Sequence, residues 1–450
     1  MKLPIAIVVA LLVCSANNQI QVKHLFANQS VIVWHNPHFA GILRKTALPI
    51  GFYSGGDWKA HCQVVKSSVP AAEKFESCED AVFWDHIGGG ALLKRLVVVS
   101  CDPGRRSWNT VMGPLRDPEP RGGLWLYTPS DSDSEVPSLP QPIIFTGYPD
   151  GHDFHPLGLE ITPSQDGGSS SLFVVNHARQ RSYIEQFLLN PSNTTVATWV
   201  RTITSEYLVA PNGIAITSPT SFYVSNDHLM TRRLPAPLGS VLPILETVLG
   251  LPTSWISHFT LLESPHGQPT FVADHSFAAL GIAFANGIAL SPDGRTLAVS
   301  SSSMMQVHLY DRDPTTNTLT FANTVHVPFA PDNLSFDDKG TLFAAGHPHF
   351  PSVIAIAKGH AGAVAPSWVV SISRRADAQS GAAQDLKEYD IHAPISASAK
   401  VPAVSSHVVE TVFQSNGSMF GTSTTGLRDS KSGVHYIVGL YDQGMLVCKP

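Results

Sequence analysis

Four short stretches set oxygen-bearing side chains where an apolar strand is about to begin. ESCEDAVFW places Glu79 and Asp80 ahead of Ala-Val-Phe-Trp, and APNGIAI places Asn212 ahead of Gly213 and Ile214. FANGIALSPDG places Asn286 ahead of Gly287, and FAPDNLSF sets Asp332 and Asn333 between Pro331 and Leu334. A buried carboxylate or amide is costly unless something satisfies it. Any one of these residues is accounted for as a turn former whose side chain bonds the nearby backbone. Four similar strand starts are better accounted for by one shared partner. Carboxylate and carboxamide oxygens suit a hard cation, and Ca²⁺ takes about six to eight of them, with Asn acceptable beside Asp and Glu. Zinc would call for Cys or His at set spacings, which these stretches lack.

The four stretches lie far apart along the chain, so a fold must bring them together. Of 450 residues, 43% are hydrophobic and only 14% charged, with 34 Gly and 34 Pro. That balance describes a turn-rich, largely β protein. Short apolar runs bounded by turn residues recur: GLWLYT from Gly123, SLFVVNH from Ser171, SFYVSNDH from Ser221, TLAVSS from Thr296, VHLYDRD from Val307, TLFAAGHP from Thr341 and YIVGLYD from Tyr436. SPDGRT (Ser291 to Thr296) is a compact hairpin turn. Strands and tight turns spread over so much chain predict a β-propeller rather than a sandwich. In a propeller the first strand of each blade lines the central channel, so equivalent strand starts converge there. Segments 130–141 and 374–401 read as exposed loop insertions. A helix is predicted within Ala236 to Phe259, limited by Pro243 and Pro252.

The N-terminus carries Lys2, an apolar run from Leu3 to Val13 and small residues thereafter. Residues 1–16 therefore read as a secretory signal peptide and 17–60 as an N-terminal extension. Membrane contact is expected only if the leader is retained as an anchor. A secreted, extracellular location would let Cys62, Cys78, Cys101 and Cys448 form disulfides, with three pairings open. Asn28, Asn193 and Asn416 head glycosylation sequons in polar surroundings, whereas the sequon at Asn333 sits in an apolar context that argues against a sugar. The net charge of -6 comes with no Lys/Arg run, so nucleic acid is not an expected partner.

CEDAVFW, LFVVNHARQRSYIEQF, FYVSNDH, FANGIALSPDGRTLAVSS, APDNLSF and AGHPHF, in that order, resemble the paraoxonase/arylesterase family. The resemblance implies an all-β, six-bladed β-propeller over residues 61–450 with a central calcium-binding tunnel. It also implies hydrolysis of small-molecule lactones and aryl esters, with phosphotriesters as a side activity. Glu79, Asn212, Asn286, Asp332 and Asn333 match the family's catalytic calcium ligands. Asp80 matches a ligand of a second, structural ion, for which a carbonyl near Leu159 is also available, but Gly213 stands where that site has an Asp. Catalytic roles fall to His177, Asp332 and Asn286. The family's first His is replaced by Leu157, with His155 two residues earlier, while His228 and His347 are further strand-end candidates. The family's closing disulfide corresponds to Cys62 and Cys448, and Cys78 either pairs with Cys101 or stays free. The departure at Leu157 keeps two alternatives: a gluconolactonase-like or strictosidine-synthase-like propeller with another substrate, and a non-catalytic calcium-binding propeller.

Overall fold

The computed structural model describes residues 60–67, 74–116, 121–129, 138–262, 270–375 and 406–450. The expected leader, most of the N-terminal extension with Asn28, and residues 130–137 and 376–401 of the two insertions lie outside the described residues.

The chain is all-β. It runs through β1 (Cys62–Val65); β2 (Cys78–Gly88), β3 (Ala91–Cys101), β4 (Gly123–Tyr127) and β5 (Gln141–Thr146); then β6 (Pro156–Ile161), the two-residue β7 (Ser164–Gln165), β8 (Ser170–Asn176), β9 (Tyr183–Asn190) and β10 (Asn193–Thr204). It continues with β11 (Pro211–Ser218), β12 (Ser221–Asn226), β13 (Ser254–Leu261) and β14 (Thr270–Ile282); β15 (Ala285–Leu290), β16 (Thr296–Ser301), β17 (Gln306–Arg312) and β18 (Leu319–His326). Last come β19 (Ala330–Phe336), β20 (Leu342–His347), β21 (Ser367–Arg374) and β22 (His407–Ser415), then β23 (Ser423–Arg428), β24 (His435–Gly439) and β25 (Met445–Cys448). Three four-stranded sheets stand alone, and a 13-stranded sheet resolves into three more antiparallel meanders of four, plus β7. The three meanders join edge to edge through parallel pairs of β10 with β5 and with β14. Strands β2, β6, β11, β15, β19 and β23 are neighbours in that order, and β23 closes on β2. These are six blades arranged around a ring of inner strands, the propeller expected from the sequence.

The core lies in the seams between blades. Trp84, Leu96 and Leu124 of one blade meet Leu159, Leu172 and Phe187 of the next. Phe173 and Ile184 then meet Ile214 and Phe222, and Ala345 and Val369 meet Ile437 and Leu446. Each blade is thus covered on both faces, so its central strands read as unbroken apolar runs such as Leu96–Val99 rather than alternating ones. The inner strands also approach one another closely at their starts. A Cβ on Gly158 would fall 2.0 Å from the carbonyl oxygen of Asn212, and one on Gly287 would fall 2.5 Å from the Cα of Asn333. Only glycine allows that approach.

The ring is closed by the two ends of the described chain. Strand β1 adds to β25 with Cys62 opposite Cys448, and a disulfide joins them across 386 residues. A second disulfide, Cys78–Cys101, cross-links the paired strands β2 and β3. Helix α1 (Leu238–Val248) occupies the first half of the predicted helical segment, but Ser254–Leu261 forms β13 instead. The helix stops at its C-cap Leu249, followed by Gly250 at positive φ, and Trp255, Ile256 and Phe259 supply the bulky apolar side chains that a blade interior takes up. Gln141, assigned to a loop insertion from sequence, opens β5. Helix α2 (Phe350–Ala357) follows β20. No helix among the described residues is long and apolar enough to cross a membrane.

Because the Cys62–Cys448 bond closes so long a loop, the chain-entropy model assigns it on the order of 5 kcal/mol. Cys62→Ser/Cys448→Ser should lower the urea midpoint by several kcal/mol equivalent while the far-ultraviolet circular dichroism stays that of the β fold. An unchanged midpoint would show that the blade seams alone hold the ring shut.

Candidate active site

Every inner strand carries a register irregularity near its start. The shifts fall between Cys78 and Asp80, Pro156 and Leu159, Pro211 and Ile214, Ala285 and Ile288, Pro331 and Leu334, and Ser423 and Thr425. A bulge re-aims side chains that strict alternation would direct elsewhere. The residues within these six irregularities include Glu79, Leu157, Asn212, Asn286, the pair Asp332–Asn333, and Thr424. The predicted oxygen ligands are therefore one structural position repeated around the ring, and Leu157 is the apolar member of that set.

Glu79, Leu157, Asn212, Asn286 and Asp332 line a cavity of about 1000 Å³. All the oxygen-bearing residues of the set are buried, Asn333 included. Asn333 Nδ2 donates to Glu79 O (3.0 Å), Glu79 Oε1 (3.1 Å) and Thr425 Oγ1 (3.1 Å). Asn212 Nδ2 donates to Asp227 Oδ2 at 3.4 Å. The amide nitrogens are thus held by acids and hydroxyls, which directs the oxygens the opposite way. Glu79 Oε2, Asn212 Oδ1 and Asn286 Oδ1 are buried and have no hydrogen-bond partner. Three unsatisfied oxygens from three blades on one cavity are what a cation-binding set looks like before its cation is counted. Among the described residues no three His, Cys, Asp or Glu side chains form a metal-holding group; this set is two carboxylates with three amides. Burial raises the Glu79 carboxyl well above the usual range, and the charges of Asp80 and Asp332 push it further. A divalent cation would offset that concentration of negative charge.

Asp80 has a different setting. Its Oδ1 accepts from the Ala81 amide (2.8 Å) and the Thr425 hydroxyl (2.8 Å), and its Oδ2 accepts from the Leu159 amide (3.0 Å). Those bonds stitch β2 to β6 and β23, away from the cavity wall. Burial nonetheless pushes its carboxyl up to about 7.

Three imidazoles on or beside the cavity pair with carboxylates. His155 Nδ1 meets Asp102 Oδ2 at 2.9 Å, His228 Nδ1 meets Asp227 Oδ1 at 3.0 Å, and His347 Nε2 meets Asp332 Oδ2 at 2.9 Å. His228 Nε2 also bonds Thr247 Oγ1 at 2.7 Å, which ties α1 to the blade carrying Asp227. His177 is bonded at both nitrogens, with Thr110 Oγ1 on Nδ1 (2.7 Å) and the Pro211 carbonyl on Nε2 (2.7 Å). Since a carbonyl only accepts, Nε2 carries the proton and Nδ1 receives the Thr110 hydroxyl. Neither nitrogen is left to take a proton from water, so His177 serves here to fix the strand that presents Asn212. Its burial, with nearby Arg233, Arg105 and His155, lowers its pKa to about 3.

Sequence reasoning did not pick out Asp102, Arg105 or Asp227. Asp227 stood in the quoted SNDH motif, while Asp102 and Arg105 sit in CDPGRR with no pattern to mark them. The outer cavity wall is apolar, with Met112, Ile244, Val248, Phe350 and Ile354 around it. The expected sequons at Asn193 and Asn416 are on exposed residues, whereas Asn333 is buried and its amide nitrogen engaged.

A six-bladed propeller with oxygen-bearing side chains at the bulges of its inner strands, around one cavity, defines a class of β-propeller with a polar site on its inner strands. Residues 117–380, more than half of the chain, match the Arylesterase family, and the chain belongs to that family. It is 29% identical over 234 residues to chicken (Gallus gallus) serum paraoxonase/arylesterase 2, covering 52% of this chain and 59% of that protein. It is 28% identical to rabbit (Oryctolagus cuniculus) serum paraoxonase/lactonase 3 over 52% of this chain and 59% of that protein. With human serum paraoxonase/arylesterase 1 it shares 27% identity over 55% of this chain and 61% of that protein. The matches thus span about three fifths of these curated relatives. Among solved structures, a luciferin-regenerating enzyme superposes with a TM-score of 0.43 at 12% identity, covering 86% of this chain and 95% of that one. A putative gluconolactonase superposes with a TM-score of 0.40 at 13% identity, covering 92% and 96%.

The His177 geometry has a pH consequence. The unfolded imidazole takes a proton near pH 6.5, the folded one only near 3, so its contribution is whole above about pH 6.5 and is lost as pH falls toward 3. Between pH 8 and pH 4.5 the wild type should lose about 2–3 kcal/mol that His177→Asn does not. Urea midpoints of the two proteins across that range measure this. A wild-type-minus-variant difference that stays flat with pH would contradict a neutral, doubly bonded imidazole.

Proposed function

We propose that this chain is a secreted, calcium-dependent hydrolase of lactones and aryl esters, with phosphotriesters as a possible side activity. One observation carries the reading: Glu79 Oε2, Asn212 Oδ1 and Asn286 Oδ1, buried and unpaired, come from three blades to one cavity. Membership of the Arylesterase family supports the reaction class. The two disulfides, and relatives that carry "serum" in their names, support an extracellular setting.

Glu79, Asn212, Asn286, Asp332 and Asn333 would hold Ca²⁺. Bound there, the ion would act as a Lewis acid on the ester carbonyl and stabilise the negative charge that develops on its oxygen. The remaining work falls to side chains of this chain. His347 holds Asp332 at Oδ2, and Asn333 holds Glu79 at Oε1, so both carboxylates are oriented by bonds that leave donor atoms toward the tunnel. His177 fixes the Pro211 carbonyl next to Asn212. The His155–Asp102 pair puts an imidazole on the cavity wall in the blade where Leu157 replaces the family's His, and it supplies the proton acceptor that His177 cannot. Met112, Ile244, Val248 and Ile354 give an aryl or acyl group an apolar surface to rest on.

Purified protein should hydrolyse phenyl acetate and γ-butyrolactone with calcium present and lose that activity in EDTA. Asp332→Ala and Asn286→Ala should each reduce kcat/KM by about a hundredfold or more. Turnover that EDTA and both substitutions leave unchanged would exclude the metal-assisted reading. Absent turnover with calcium still raising the melting temperature would favour the non-catalytic calcium-binding propeller.

A further inference from the structure

The cavity carries positive charge that nothing in the proposed calcium chemistry uses. Arg105, in the turn after β3, lines the cavity and is only 5% exposed. Its Nη2 donates to the Pro156 carbonyl at 2.8 Å and its Nε reaches the Ser77 carbonyl at 3.5 Å. Neither partner is charged, and among the described residues Nη1 has no partner. Arg106 and Arg232 line the same cavity. Arg106 reaches the Tyr441 carbonyl at 3.3 Å, and Arg232 bonds the Ser240 hydroxyl. Among the described residues no carboxylate is in ion-pair contact with any of the three.

Burial raises the Glu79 carboxyl and the Arg105 charge offsets part of that rise, yet among the described residues no acid of the cavity is in contact with the guanidinium. Asp102, Asp227 and Asp332 are buried and each is bonded to an imidazole, while Glu79 belongs to the oxygen set. A buried guanidinium held only by carbonyls is costly to keep, because those contacts return little of the hydration it has lost. Its planar fork matches the two oxygens of a carboxylate. The deep acids would repel a more highly charged anion, which favours a single negative charge on the ligand.

We propose that Arg105, supported by Arg106 and Arg232, forms an anion subsite, so that the preferred substrates are esters or lactones bearing a carboxylate away from the scissile bond. The proposal rests on the hydrolase reading of the same cavity. During turnover the guanidinium would anchor the distal carboxylate while the scissile carbonyl faces the oxygen set. No atom of Arg105 takes part in bond making or breaking, so its effect falls on binding and orientation.

The test pairs substrates matched in size that differ in charge: the phenyl ester of glutaric acid monoamide with monophenyl glutarate, and the γ-carboxamide of γ-butyrolactone with its γ-carboxylate. Wild-type kcat/KM should favour the anionic member of each pair by about tenfold or more, the value of one charge-assisted contact. In Arg105→Gln that ratio should fall toward one, chiefly through KM, whatever happens to the absolute rates. Arg232→Gln, at a half-buried position, should reduce the ratio partway and serves if the Arg105 variant fails to fold. Titration calorimetry with monomethyl glutarate, a single carboxylate, on the calcium-loaded protein separates the two readings. Monomethyl glutarate binding that Arg105→Gln abolishes, in a protein that turns over no ester, keeps the subsite and removes the hydrolase. Ester turnover with no charge preference and no monomethyl glutarate binding overturns the subsite. Equal losses on neutral and anionic substrates in Arg105→Gln would also overturn it, reducing Arg105 to a counter-charge for Glu79.

Discussion

Each inner strand of this propeller breaks register near its start, and the ring has six such breaks at equivalent places. Regular alternation would send half of these side chains into the blade seams, where an Asn or Asp could not be satisfied. The irregularity turns them inward together, so one local backbone device, repeated by the fold, concentrates oxygens from blades far apart in sequence. Glycine is the complementary requirement. Gly158, Gly213 and Gly287 follow Leu157, Asn212 and Asn286, and a Cβ at any of them would collide with the next inner strand. The ring can close at the level of the site only because those positions have no side chain.

Electrostatics then divides the molecule's buried acids into two kinds. Asp80 has both oxygens bonded and works as a stitch between blades. Glu79 shares its neighbourhood but keeps Oε2 unpaired. Adjacent residues on one strand, of nearly the same chemistry, are separated into a fully bonded blade stitch and a cavity-lining carboxylate by which face of the strand start they occupy. The same division runs through the histidines. His177 is consumed by two hydrogen bonds, whereas His155 Nε2, 3.8 Å from Asp153 Oδ2, and His347 Nδ1 are buried without one. Orphaned polar atoms cost stability, and Glu79, His155, Asn212, Asn286 and His347 each bring one to the same cavity.

Much of this was legible in the sequence. Oxygen-bearing residues ahead of apolar runs marked the strand starts, and the recurring strand-and-turn pattern marked the propeller. The pairing of Cys62 with Cys448 followed from the family resemblance, since no spacing rule links residues at opposite ends of a chain. Other features were not legible for identifiable reasons. The segment after Pro252 is rich in β-branched and aromatic residues, a strand signal that the helical pattern before Pro252 overran, and it pairs between β12 and β14. His155 stands just ahead of β6, its amide donating to Asn176 Oδ1 and its Nδ1 meeting Asp102 Oδ2, contacts that strand alternation could not supply. Asp102 and Arg105 lie in a turn whose sequence, CDPGRR, carries no signal of the cavity it borders.

The central claim is that the inward-turned oxygens form one calcium site. Crystals grown with calcium, with anomalous scattering used to locate the ion, test it most directly. The expected result is one ion within about 2.3–2.6 Å of Glu79 Oε2, Asn212 Oδ1 and Asn286 Oδ1. Those three oxygens satisfied by water or by neighbouring side chains, with no ion among them at millimolar calcium, would contradict the account.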